Sequence, residues 1–371
     1  MEVNPAIFKG CLLGMAVGDA MGAPVDGKAY PEICRMYGPK GLLGYDSANG
    51  LAEITSYSQL ALFAANGILA GAARGKVAAE DQLRYITAAL KEWARVQHLP
   101  GAPENKLCWL RHIPQMRRRR CMDPRTLDAL TRGVLGTPEN PANQSAGAGT
   151  LTAVIPVALF FQPERMDFWE IGSSGAKIIA LTHGDSMAYL SGAVLAYAIA
   201  GIAQDRTCTM EDQFLHAAQA VATQFPGVPA GKLQALIREA VSLAKNPDIS
   251  ALQAMERLEC NTAAQVVAGA IYAVLSGNGD FDRSMIAAVN HSGKSAAVGA
   301  VTGALLGAAL GDRGLPGFYL DCLDCDQVIR EVAVDLHTAC PKGWQKRLFD
   351  DDWDRKYTQG KPVSGEGWIK A

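Results

Sequence analysis

The stretch Ala288-Val-Asn290-His291-Ser292-Gly293-Lys294-Ser295-Ala-Ala-Val-Gly299-Ala-Val-Thr-Gly303-Ala-Leu-Leu-Gly307-Ala-Ala-Leu-Gly311 joins a polar turn to an apolar helix. Gly299, Gly303, Gly307 and Gly311 recur every four residues, so they line one face of that helix. Each Gly costs up to ~1 kcal/mol relative to Ala in a helix interior, and such a stripe calls for another helix packed close against it. The same 3.6-residue periodicity runs through most of the chain. It predicts helices from Pro5 to the Gly22-Ala-Pro24 turn and over Thr55–Leu69, Ala79–Gln97, Pro124–Leu135, Gly149–Phe161, Trp169–Ala180, Met187–Ile202 and Met210–Thr223. Further helices are expected over Ala230–Ala244, Ala251–Leu258, Ala263–Leu275, Asp282–Val289, Ser295–Leu310 and Cys325–Ala339. Tyr30–Ala52 and Pro138–Gly149, rich in Gly, Pro and polar residues, read as loops. No run alternates long enough to make a strand. The fold class is all-α, with one helical domain over residues 1–340 and a polar extension over 341–371, packed on it or trailing from it.

Composition agrees. Of 371 residues, 49% are hydrophobic and 19% charged, enough apolar material for a large core and too much for wholesale disorder. Lys and Arg total 35 against 37 Asp and Glu, a balance that argues against nucleic-acid or membrane-surface binding. The best apolar runs, Ala188–Ala203 and Ala296–Gly311, fall short of the ~20 residues that span a bilayer and read as buried helices. Nine scattered Cys suit free thiols in a reducing compartment, and the N-terminus lacks a basic leader, so a cytoplasmic location is expected.

Several motifs carry possible chemistry. Gly18-Asp19-Ala-Met-Gly22-Ala-Pro24-Val-Asp26 closes an apolar helix and presents two carboxylates seven residues apart; a capped helix end would look the same. Ala288–Ser295 fits the loose phosphate-loop pattern A/G-x4-G-K-S/T, in which backbone N–H groups and a Lys hold phosphates. No strand precedes it, however, and Ala stands at the first turn, so an NTPase is a weak third option. Cys322-x2-Cys325 with His337-x2-Cys340 has zinc-ligand residue types, but Val328, Ile329, Val332 and Leu336 explain that segment as an amphipathic helix. Arg117–Arg120 lacks interleaved aromatics and suits a solvated face or an acidic local partner. His183, in Thr182-His183-Gly184-Asp185, stands at a helix start, where it either contacts a ligand or caps and packs.

In order along the chain, these pieces resemble the ADP-ribosylglycohydrolase family. Its opening G-x-x-x-G-x-A-x-G-D-A-x-G-x-P-x-E is matched from Gly10 through Gly14, Ala16, Gly18, Asp19, Ala20, Gly22 and Pro24 to Asp26, with Asp for the final Glu. Leu181-Thr182-His183 matches the family's Leu-Thr-His. Ala288-Val-Asn290 through Thr302, Gly303 and Gly307 matches its late A-V-N-x-G-G-D-T-D-T-x-G-A-x-T-G-A-L-x-G-A. The matches span roughly residues 7 to 340.

The resemblance implies an all-α hydrolase acting on ADP-ribosyl groups with two Mg²⁺ ions. Yet the T-D-D-T and D-T-D-T metal motifs read Thr55-Ser56-Tyr57-Ser58-Gln59 and Lys294-Ser295-Ala296-Ala297, and all four carboxylates are gone. Gly147-Ala148-Gly149 and Ala153 likewise replace G-N-G and a following Arg. Mg²⁺ requires hard oxygen ligands, normally including carboxylates, so no metal and no cofactor are expected, with Lys294 in place of the cations. The candidate catalytic residues are therefore Asp26 as base or electrostatic stabiliser, Lys294 as phosphate holder or leaving-group polariser, and Tyr57 as proton donor. Asp19, Thr55, Ser56, Ser58, His183, Asn290, His291, Ser292 and Ser295 are candidate substrate-binding residues. The expected activity is metal-independent cleavage of a glycosidic bond in an ADP-ribosyl, ribosyl or nucleoside-like group, free or attached to a protein. The alternative is a non-catalytic relative that binds such a ligand or a protein partner.

Overall fold

Apolar residues on every face, not on one stripe, mark the helices that must lie at the centre. In the computed structural model, which describes residues 4–46, 50–98, 108–132, 134–161, 165–226 and 229–358, these are Pro5–Gly22, Ser56–Ala73, Ser186–Gln204, Ala263–Gly277 and Ser295–Leu310. Every residue of Ser56–Ala73 is buried. Amphipathic helices, among them Ala79–His98, Phe168–Ala180, Ala230–Lys245 and Asp326–Thr338, surround them. Among the described residues there is no strand, only an isolated bridge between Ala52 and Leu323. The fold is all-α.

The partner of the glycine stripe is the first helix. Gly10, Gly14, Gly18 and Gly22 face Gly307, Gly303, Gly299 and Ser295 in antiparallel order. A Cβ added at Gly14 would lie 2.1 Å from the Gly303 carbonyl oxygen, and one at Gly303 would lie 1.9 Å from the Gly14 oxygen. The two backbones therefore touch, with no room for a side chain between them. This contact brings the C-terminal end of Pro5–Gly22 beside the N-terminal end of Ser295–Leu310, and the polar turns of both segments meet there.

Four segments differ from the sequence reading. Tyr30–Tyr37 is a helix inside the expected loop; Pro31 is tolerated in its first turn, and Glu32 and Arg35 suit the dipole at either end. Gly149–Phe161 is not one helix but a 3₁₀ turn, Leu151–Val154, followed by Ile155–Phe160 with Pro156 in its first turn. Pro5–Val25 and Ser186–Gln204 are long and apolar enough to cross a bilayer, longer than the runs counted from sequence, and 83% and 78% of their apolar windows are buried inside the protein. Of the 341–371 extension, residues 341–358 pack on Ser56–Ala73: Asn66 donates to the Tyr357 carbonyl at 3.0 Å and Arg74 pairs with Asp354 at 2.8 Å. Residues 359–371 lie outside the described residues.

The glycine contact gives a direct test. Gly303→Val should destabilise the protein by about 3 kcal/mol or more in urea unfolding, because a packed backbone cannot shift aside. Gly231→Ala, where the added methyl meets open space, should instead stabilise by about 0.5 kcal/mol.

Candidate functional site

Asp19 lies at the inner end of the first helix and is fully buried. One carboxylate oxygen accepts the Thr55 hydroxyl at 2.5 Å; the other accepts the Thr55 N–H at 2.8 Å, the Ser58 N–H at 3.1 Å and the Ser58 hydroxyl at 2.6 Å. It thus caps the N-terminus of Ser56–Ala73 from a distance, supplying negative charge where that helix has free N–H groups. Burial pushes its pKa up, opposed by these four bonds. Ser56 donates to the Cys121 carbonyl at 2.9 Å. Asp19, Thr55, Ser56 and Ser58, expected to bind substrate, are thus hydrogen-bonded to one another and to backbone.

The late turn is knitted in the same way. Asn290 accepts from the Leu42 N–H at 2.7 Å and donates to the Leu42 carbonyl at 2.8 Å, pinning the 38–44 loop. His291 is buried; its Nε2 donates to the Ala288 carbonyl at 2.9 Å and its Nδ1 accepts from the Gly293 N–H at 2.9 Å. Burial holds its pKa down at about 4, so the ring is neutral at pH 7. Ser292 accepts from the Tyr30 N–H at 2.9 Å, and Ser295 donates to the His291 carbonyl at 3.5 Å. These four candidates, too, are occupied internally.

What remains available is a smaller set. Asp26 accepts from the Ala296 N–H at 3.0 Å and so caps the Ser295–Leu310 helix with one oxygen. Burial raises its pKa against that bond, the nearby Lys294 ammonium and the Cys121 thiol. Lys294 is exposed and has no ion-pair partner among the described residues. Tyr57 is buried, its phenol pushed well above its ordinary pKa by burial and by the charges of Asp26 and Asp123. It stays protonated, with a hydroxyl able to donate a hydrogen bond.

Asp123 was not among the sequence candidates. One of its oxygens caps the helix Pro124–Arg132 through the Arg125 N–H at 2.7 Å; the other meets His183 Nε2 at 3.3 Å. Burial acts to raise its pKa, but the His183 ring and the backbone donors together hold it below the ordinary carboxylate value. His183 is fully buried, its Nδ1 2.7 Å from the Thr182 hydroxyl, which lies 2.9 Å from that of Thr150. Gly147 and Gly149 lie directly over this pair: a Cβ on Gly147 would fall 2.9 Å from His183 Nε2. The signal available in sequence was Asp-Pro-Arg-Thr, a helix-start pattern that reads as a cap and nothing more.

The remaining motifs are structural. Arg118 pairs with Glu53 at 2.6 Å and Asp324 at 3.2 Å, and Arg120 with Glu53 at 2.5 Å, so the arginine run meets an acidic local partner. His337 packs edge-on against Phe8, and no three His, Cys, Asp or Glu side chains gather into a metal-binding group among the described residues.

The family model for ADP-ribosylglycohydrolase matches residues 5–346. The chain belongs to the ADP-ribosylglycohydrolase family. A solved chain described as an ADP-ribosylglycohydrolase-related protein complex is similar in fold, with a TM-score of 0.57 and 22% identity over 92% of this chain and 100% of that one. No curated protein matches the sequence. In the ADP-ribosylglycohydrolase frame, the donors at the two metal motifs do not suit Mg²⁺: Thr55 and Ser58 are bound to Asp19, and an ammonium stands at position 294.

The neutral His291 makes a prediction about acid. Its folded pKa of about 4 lies below the unfolded value near 6.5, so the unfolded chain binds the extra proton between those values. Stability contributed by the neutral ring is complete above pH 6.5 and is lost as pH falls towards 4. The loss, on the order of 3 kcal/mol at full extent, should be visible in chemical unfolding and absent from His291→Gln.

Proposed function

We propose that this family member hydrolyses a glycosidic bond of an ADP-ribosyl, ribosyl or nucleoside-like group without the family's Mg²⁺ ions. The observation that carries the reading is the placement of Asp26 at the Ala296 N–H, 3.0 Å away and beside Lys294, with Asp123 held by His183 Nε2 at 3.3 Å and both carboxylates near enough for their charges to act on the Tyr57 phenol; burial moves the Asp26 pKa upward and donors move that of Asp123 downward. Opposite tuning of two nearby carboxyls is how an acid–base role and a charge-stabilising role are divided. Asp26 delivers a proton to the leaving-group atom as the glycosidic bond breaks. Water then adds to the anomeric carbon and returns a proton to Asp26. Asp123, held ionised, opposes the positive charge that builds on the sugar ring. Lys294 holds a phosphate of the substrate, and the Tyr57 hydroxyl orients it. The nine free cysteines support a reducing, cytoplasmic setting for this activity.

A second reading, ligand binding without turnover, is favoured by the internal hydrogen bonds of Thr55, Ser56, Ser58, Asn290 and His291. Turnover separates the two. In EDTA, with ADP-ribosylated and ribosylated test compounds, the wild type should release product, and Asp26→Asn should lower kcat by about 100-fold or more. Lys294→Ala should act mainly on KM, by about tenfold. Product release in Asp26→Asn at the wild-type rate, or release only when Mg²⁺ is added, contradicts the assignment.

A further inference from the structure

Behind the turn that carries Lys294, a separate cavity of about 530 Å³ opens between the 38–44 loop, the end of Ala230–Lys245, the start of Ala251–Leu258 and the helix Phe281–Val289. That volume is in the range of small-molecule sites. Three of its lining residues are cations, Lys40, Lys245 and Arg283, and no Asp or Glu lines it. Lys245 is paired with Glu211 at 2.6 Å, whereas Lys40 and Arg283 have no ion-pair partner among the described residues. All three are exposed, and they share the lining with buried Tyr272 and Leu243 and half-buried Ile286.

We propose that this cavity binds a small organic phosphate: a phosphorylated molecule whose body carries a flat or apolar face. The cationic rim supplies charge for the phosphate, and a phosphate held by two free cations gains charge-assisted bonds that a neutral molecule cannot form. The floor supplies an aromatic and aliphatic surface for the body, which inorganic phosphate cannot use. The absence of any lining carboxylate removes the repulsion that would exclude an anion. Asn290 and Tyr30 belong to the same wall, and through Leu42 and Ser292 they are bonded to the turn beside Lys294. A ligand here therefore sits against the scaffold of the family site without entering it.

The test uses adenosine monophosphate as probe, with adenosine and inorganic phosphate as controls, titrated by calorimetry into full-length Lys294→Ala, which lacks the free ammonium of the other site. Saturable binding of the nucleotide, absent for adenosine and at least about tenfold weaker for inorganic phosphate, is expected. Adding Arg283→Glu should weaken it at least about tenfold, while Arg283→Lys keeps it, both with unchanged thermal unfolding since the side chain is exposed. No saturable binding at millimolar nucleotide, equal binding of adenosine, or affinity unchanged by Arg283→Glu overturns the proposal. Loss of turnover in Asp26→Asn bears only on the family site and leaves this result untouched.

Discussion

Backbone-to-backbone contact between two glycine-striped helices is the constraint on which the remaining structure depends. Gly14 against Gly303 and Gly18 against Gly299 leave no space for a Cβ, so the relative height of the two helices is fixed to a fraction of a residue. That height decides which turns meet. It sets Asp26 at the Ala296 N–H and lets the Gly27 N–H donate to the Gly293 carbonyl at 3.0 Å, closing the two turns on each other. Asp19 performs the corresponding service for the third central helix. With these two carboxylates acting as remote caps, helix N-termini that would otherwise demand solvent or a ligand are satisfied inside the protein.

The same economy explains how the turns around this site keep their shape with hydroxyl, amide and imidazole groups at the motif positions. Thr55 and Ser58 direct both hydroxyls at Asp19, and His291 and Asn290 bind backbone on either side of their turns. None of these bonds needs a cation. Lys294 has no ion-pair partner among the described residues and lies near Asp26, whose pKa burial raises, while the pKa of Asp123 is lowered by its donors. The chemistry proposed for this site rests on proton transfer and fixed charge, which act without a metal.

The helices and their order were legible because periodicity and the glycine spacing are local properties of the chain. The family was legible because its motifs survive as backbone requirements: Gly22, Pro24 and Gly293 are kept where turns are tight. The short helix Tyr30–Tyr37 was hidden by the Pro and Gly around it, and the break at Leu151–Val154 by an apolar run that reads as continuous. The site was less legible, for a physical reason. A polar residue at a motif position looks the same whether it faces a ligand or a backbone carbonyl, and Ser56, Asn290 and His291 turned out to face backbone. Asp123 was missed for the converse reason: its local pattern explains one oxygen as a cap, and only the fold brings His183 to the other.

The central claim is that a fixed ammonium, not a pair of dications, receives the ligand's phosphates. Calorimetric titration of ADP-ribose into the wild-type protein, once with Mg²⁺ and once with EDTA, tests it most directly. The account predicts the same affinity in both solutions. Binding that requires Mg²⁺ would contradict it.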